Sequence, residues 1–146
     1  MIIIGSDHGG FEMKTQLIEH LKKNGYVVRD AGCFDTNSID YPDIAFEVSK
    51  SVLSEDKSLG ILVCGTGIGI SIAANKIKGI RCALCHNEFT ARMSRMHNNA
   101  NILALGGRVI GIELAKSILE TFLSSEFEGG RHATRVDKIC NFENNN

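Results

Sequence analysis

A short apolar run, Gly60-Ile61-Leu62-Val63, ends at Cys64, and the glycine-rich stretch Gly65-Thr66-Gly67-Ile68-Gly69 leads directly into Ile70-Ser71-Ile72-Ala73-Ala74-Asn75-Lys76. This order predicts a buried strand, a tight turn and a helix start in immediate succession. The first turn of a helix has N–H groups without intrahelical partners, and its dipole adds partial positive charge. Glycine lets a backbone adopt φ > 0 and approach a ligand closely. Such a loop suits an anion, and a cysteine at its mouth has its thiolate stabilised. One segment therefore combines an anion cradle with a candidate base or nucleophile.

The remaining chain repeats the strand–helix alternation. Met1 to Ile4 is a β-branched apolar run and reads as a buried strand. Ser6 to Gly10 reads as a turn, and Phe11 to Lys23 as an amphipathic helix with Phe11, Leu17, Ile18 and Leu21 at helical spacing, stopped by Gly25. Further strands are expected at Tyr26 to Asp30, Leu59 to Cys64, Ile80 to Cys85 and Ile102 to Leu105. Further helices are expected at Ile44 to Leu53, Ile70 to Lys76, Glu88 to Met96, Gly111 to Leu123 and, after the Gly129-Gly130 break, Arg131 to Phe142. Asn144 to Asn146 reads as a frayed tail. Five apolar strands alternating with helices predict an α/β fold: a five-stranded parallel sheet covered on both faces, a three-layer αβα sandwich. Ligands in such folds bind beyond the carboxyl ends of the strands. Asp7, His8, Cys64, His86 and Arg108 all follow predicted strands.

A chain of 146 residues is about one domain, and its formal net charge of −1 favours neither nucleic acid nor an anionic membrane surface. No apolar run approaches the roughly 20 residues of a membrane helix. Met1-Ile2-Ile3-Ile4-Gly5 lacks the basic flank of a signal peptide. The five cysteines, an odd number without a secretion signal, point to a reducing cytosol.

Each candidate competes with a plainer reading. Free cysteine is commonly a small buried hydrophobe, but the place of Cys64 before a glycine loop favours chemistry. The loop is not G-x-G-x-x-G, because position 70 is Ile, and it has no Gly-Lys-Ser/Thr of a nucleotide P-loop. A thiol phosphatase would need arginine at that same position. What remains is a nest of N–H donors for an oxyanion, or a packing turn. Asp7 can relay protons or cap the next helix, and His8 beside it can serve a phosphate as a cation. His97 follows a helix, where a histidine commonly just meets the helix dipole. Arg131 and Arg135 lie one turn apart, suited to a phosphate dianion or to a solvated face. His20 reads as surface. Cys82 and Cys85 sit three apart in a strand, hence on opposite faces, and read as core. No metal-ligand spacing is evident.

With these residues assembled, the chain resembles the ribose-5-phosphate isomerase B family, which also includes galactose-6-phosphate isomerase subunits and allose-6-phosphate isomerase. The resemblance runs through Gly5-Ser6-Asp7-His8-Gly9-Gly10-Phe11, Asp40-Tyr41-Pro42, Cys64 to Lys76, Arg92 to Asn101, and Glu128-Gly129-Gly130-Arg131-His132 with Arg135. It implies a Rossmann-like three-layer fold and a cofactor-free aldose–ketose isomerase of the pentose phosphate pathway. It also implies a homodimer, sometimes paired into a tetramer, whose active sites are shared between subunits. Residue by residue, Cys64 matches the base that moves a proton between C2 and C1. Gly65, Thr66, Gly67, Ile68 and Gly69 match the anion hole. His97 and Thr66 match the groups that help open the furanose ring, Asp7 the relay between O1 and O2, and Asn98 a sugar contact. His8, Arg108, Arg131 and Arg135 match the phosphate side, and Tyr41 lines the pocket. Another branch of the family lacks the cysteine and uses a glutamate where this chain has Ile70. Two alternatives stay open: a six-carbon substrate such as allose 6-phosphate or galactose 6-phosphate, and a non-catalytic sugar-phosphate-binding module. A dinucleotide oxidoreductase is disfavoured by the broken glycine fingerprint.

Overall fold

A computed structural model describes residues 1–146. The strands are β1 (Ile2–Ser6), β2 (Val28–Asp30), β3 (Leu59–Cys64), β4 (Cys82–Leu84) and β5 (Ile102–Gly106). The helices are α1 (Phe11–Lys23), α2 (Tyr41–Ser54), α3 (Ile68–Ala74), α4 (Glu88–Met96), α5 (Ile112–Ser124) and α6 (Arg131–Asn144). The strands form one five-stranded parallel sheet, as the alternation of elements predicts, and its order is β2-β1-β3-β5-β4.

Strand alternation divides the core into two layers. Ile2, Ile4, Ile61, Val63, Leu103 and Leu105 face α1, α4 and α5. Ile3, Leu62, Cys64, Ile102 and Ala104 face α2 and α3. The crossover after β1 therefore runs over one face and the crossover after β3 over the other. The chain reverses its winding between β1 and β3, which are hydrogen-bonded neighbours. That reversal opens a crevice at their carboxyl ends, the place where open α/β sheets hold ligands.

Several boundaries differ from the expectations. The turn after β1 is a 3-10 turn at His8–Gly10. Helix α2 begins at Tyr41, with Asp40 as its cap residue and Pro42 in the first turn, where a missing N–H costs nothing. The edge strands are shorter than expected. Tyr26 N–H donates back to the Leu21 carbonyl at the end of α1, while Ile80 N–H is taken by Ile77 and Arg81 N–H by the Asn101 side chain. These donors are lost to the ladder. Helix α6 continues to Asn144, two residues past Phe142, and Asn146 caps it through the Phe142 carbonyl.

Candidate active site

The β1 and β3 loops flank the crevice. Asp7 is buried, and its Oδ1 accepts from Gly9 N–H at 2.9 Å and Gly10 N–H at 3.2 Å. It caps the 3-10 turn, as the plainer reading predicts, and capping uses only one carboxylate oxygen. His8 follows, with its Nδ1 accepting from Ile39 N–H at 3.2 Å. A backbone N–H can only donate, so the ring carries its hydrogen on Nε2. With Nδ1 taken by the loop, His8 presents its Nε2–H as a donor.

Cys64 ends β3 on the α2/α3 side, only 5% exposed, packed in the same cluster as Ile70. Gly67 N–H donates to its Sγ at 3.1 Å, a bond that strengthens when the sulfur is charged. The turn depends on Gly67, whose φ is +79° and whose added Cβ would lie 2.9 Å from the Leu105 carbonyl carbon. Thr66 Oγ1 accepts Ile68 N–H at 3.2 Å, which leaves its hydroxyl hydrogen free to donate. The N–H groups of Gly65, Thr66, Gly69 and Ile70 donate to nothing within the chain. Four backbone donors are thus free around a thiol, the electrostatics of an oxyanion site. The Tyr41 ring lies on Gly69, where a Cβ would meet its hydroxyl oxygen at 2.7 Å.

Arg108 closes the crevice from β5. Its backbone N–H donates to the Gly65 carbonyl at 2.9 Å, and its guanidinium lies against Gly65 and Gly9. A cavity of about 470 Å³ opens there, walled by His8, Gly9, Thr36, Gly107 and Arg108 among others. Arg108 pairs with no carboxylate, so its fork of donors is available to an anion.

The other predicted site residues lie at the opposite end of the strands. His97 caps the C-terminus of α4, and the turn through Asn98 and Asn99 enters β5 from its amino end. Arg81 Nε donates to the Asn98 carbonyl at 3.0 Å. Gly60 pairs with Ile102 and Cys64 with Gly106. The His97 turn is thus four residue steps, about 13 Å of strand, from the thiol end. Helix α6 lies at that end too, with Gly79 N–H bonded to Glu143 at 2.9 Å. Arg131 and Arg135 are exposed on it and pair with no carboxylate. One chain therefore brings together Asp7, His8, Tyr41, Cys64 to Gly69 and Arg108, and keeps His97, Asn98, Arg131 and Arg135 apart from them.

Next to His97 stands a residue that sequence reading missed. The His132 ring stacks on His97, centroids 4.0 Å apart and planes 9° from parallel, with Glu128 Oε2 3.4 Å from its Nε2. The ligand atoms of His97, Glu128 and His132 lie within 4.8 Å of one another, a cluster that sequence spacing does not show. The group does not fit an ion. Nitrogen lone pairs lie in the ring plane, and two stacked rings keep them in separate, nearly parallel planes, whereas a metal needs both aimed at one point about 2.0–2.1 Å away.

Burial, then His97, Arg131 and Arg135, hold His132 below its ordinary value of 6.5, against the opposing pull of Glu128. The folded chain then binds fewer protons here than the unfolded chain, so stability falls as pH drops through the unfolded value. The thermal midpoint is expected to fall more steeply from about pH 7.5 to about pH 5.5 in the wild type than in His132→Phe, which keeps an aromatic stack without titrating. Equal slopes would remove His132 from the acid response.

Three other residues are placed by the fold. Cys82 and Cys85 point to opposite layers, as expected, and burial with Cys85 nearby pushes the Cys82 thiol to about 12. His20, expected as plain surface, pairs with Glu120 at 2.7 Å, 100 positions away, an arrangement no local pattern reveals.

A model of the Ribose/Galactose Isomerase family matches residues 2–139. Ribose-5-phosphate isomerase B of Escherichia coli K12 is 46% identical over 142 residues, covering 97% of this chain and 95% of the relative. A solved Clostridium thermocellum ribose-5-phosphate isomerase B superposes with a TM-score of 0.97 at 56% identity, covering 99% of this chain and 97% of the other. The Mycoplasma genitalium ribose-5-phosphate isomerase B with bound ribulose-5-phosphate superposes with a TM-score of 0.93 at 47% identity, covering 99% and 97%. With the model spanning nearly the whole chain and relatives this similar along their full length, the chain belongs to the ribose/galactose isomerase family.

Proposed function

We propose that residues 1–146 form one sugar-phosphate isomerase domain that interconverts D-ribose 5-phosphate and D-ribulose 5-phosphate through a cis-enediolate. The observation that carries the reading is the Cys64 thiol surrounded by four free backbone donors, beside an unpaired guanidinium. In the aldose-to-ketose direction the Cys64 thiolate takes the C2 proton, and the electron pair moves to O1. The N–H groups of the Gly65–Gly69 turn hold that developing charge. The proton returns to C1 while Asp7 passes a proton from O2 to O1. His8 and Arg108 hold the phosphate, remote binding that orients the reacting carbons, and Tyr41 forms the wall over Gly69. The reaction moves protons and leaves no net change in electrons, so it requires no cofactor. The Mycoplasma relative with bound ribulose-5-phosphate supports a five-carbon substrate.

His97, Asn98, Arg131 and Arg135 enter this reading from a second copy. In one chain they sit at the wrong end of the strands, so they reach a Cys64 site only across a homodimer. The outer face of α3 supports such an interface, since Ile68 and Ile72 are 52% and 56% exposed one turn apart beside the glycine loop. His97 then joins Thr66 in opening the furanose ring, Asn98 contacts a sugar hydroxyl, and the two arginines complete the phosphate site. Pairing of dimers into tetramers extends the same reading. Five unpaired cysteines support a reducing compartment such as the cytosol.

A coupled assay with ribose 5-phosphate, allose 6-phosphate and galactose 6-phosphate tests the proposal. The highest kcat/KM is expected with ribose 5-phosphate. Preference for a six-carbon substrate would transfer the mechanism to that sugar, and turnover of none would leave a binding module. A charge-assisted hydrogen bond contributes about 1.5–3 kcal/mol. Arg131→Ala and Arg135→Ala are therefore each expected to weaken substrate use by roughly ten- to a hundredfold, mainly in KM. Arg135→Lys should recover only part, because an ammonium has no planar fork. Unchanged kinetics in both alanine variants would return the pair to a solvated face.

A further inference from the structure

Lys14 is fully buried on the apolar stripe of α1, between Phe11 and Ile18. Lysine is almost never found so deep unless it is paired. Its Nζ lies 2.7 Å from Asp30 Oδ1, donates to the Cys33 carbonyl, and stands 5.4 Å from the ring centroids of Phe11 and Phe34. Only the lysine end of the pair is buried, Asp30 keeping a third of its side chain exposed, and an apolar side chain would fill the Lys14 site without the cost of desolvating a charge. A fold that only needed a core here would have no use for the charge.

The contacts of Lys14 converge on one loop. Asp30 Oδ1 also accepts Gly32 N–H at 2.9 Å, and Cys33, whose carbonyl takes the second Lys14 bond, is the residue after Gly32. Cys33 Sγ bonds the Asp35 carbonyl at 3.3 Å. Thr36 forms part of the wall of the cavity that His8 and Arg108 line. Ile39 N–H donates to His8 Nδ1 at 3.2 Å. We propose that Lys14 is a positioning residue: by tying Asp30 to the Cys33 carbonyl it fixes the Ala31–Ile39 loop, which holds His8 through Nδ1 and keeps its Nε2–H turned to the cavity. Lys14 touches no substrate in this arrangement. It decides which ring nitrogen does.

The effect on substrate rests on the reading of His8 as a phosphate ligand, and the experiment separates the two. Lys14→Met keeps the length and apolar body of the side chain. In protein labelled with nitrogen-15 at histidine, the two His8 ring nitrogens of the wild type are expected as one protonated Nε2 and one bare Nδ1. In Lys14→Met the two shifts are expected to move toward each other as the tautomers mix. KM for ribose 5-phosphate and the inhibition constant of inorganic phosphate should both rise about tenfold, with kcat changed less than about twofold. Lys14→Arg, which restores charge and donors, should recover part of both. If Lys14→Met does not fold, Lys14→Met/Asp30→Asn leaves neither charge stranded and gives the same readouts. Unchanged His8 shifts in a folded variant would overturn the proposal. Altered shifts with unchanged phosphate inhibition would uphold it and remove His8 from the phosphate instead.

Discussion

Cys64→Ala is expected to lower isomerase turnover by about a hundred- to ten-thousandfold, the range that a positioned general base contributes. Binding of ribose 5-phosphate should survive, because the free N–H groups of the Gly65–Gly69 turn, His8 and Arg108 remain. The neighbouring position 70 is Ile, an apolar side chain buried against the same layer, and it cannot take over as base. The substitution leaves only a small gap, so circular dichroism and the thermal midpoint should stay near the wild type. Titration of sugar-phosphate binding to the inactive variant checks the separation of binding from chemistry. Near-normal turnover in a folded Cys64→Ala protein would end the assignment. Iodoacetamide should inactivate the wild type with protection by substrate, while Cys82, its thiol raised to about 12, stays unmodified near neutral pH.

Mixing two inactive variants is expected to restore activity. Cys64→Ala and His97→Asn each damage every site of their own homodimer. In a mixed two-fold dimer, one site collects both substitutions and the other collects none. Random reassortment makes about half of the dimers mixed, each with one intact site of two, so about a quarter of wild-type activity should return. The experiment requires subunit exchange, which dilution or mild denaturant followed by recovery promotes. Two variants that both change the Cys64 half, such as Cys64→Ala with Arg108→Ala, should instead complement weakly or not at all, because every mixed site then contains a damaged loop edge. Recovery in the first mixture and none in the second would assign His97 to the partner. No recovery in either, with exchange verified by mass, would end the assignment of His97 to the partner's Cys64 site.

The contrast between these two residues shows what could be read from the chain alone. Cys64 stands in a run of some twelve residues whose strand, turn and helix are local events. A continuous apolar run ends, glycines break it, and a helix starts, so the environment of the thiol follows from its neighbours in sequence. The same holds for the five strands, their parallel order as a class and the chemistry after β1. Lys14 was nearly visible too: a lysine on the apolar stripe of α1 is a conflict between residue type and position, and only its partner 16 residues away explains it.

The partners were decided by the tertiary structure. In a parallel sheet a helix returns the chain to the amino end of the next strand, so sequence order places His97-Asn98-Asn99 at the amino end of β5 and leaves open only what packs against that turn. His132 meets His97 across 35 positions, and their stack exists only because α6 lies across that amino end. Strand order β2-β1-β3-β5-β4, and with it the crevice between β1 and β3, depends on which face each crossover covers. Periodicity sets which residues are buried, because side-chain direction is a local property of the backbone. Where a buried face finds its partner is a property of the whole packed chain, and it is this that joins Asp7 to Cys64 and keeps Arg131 from them both.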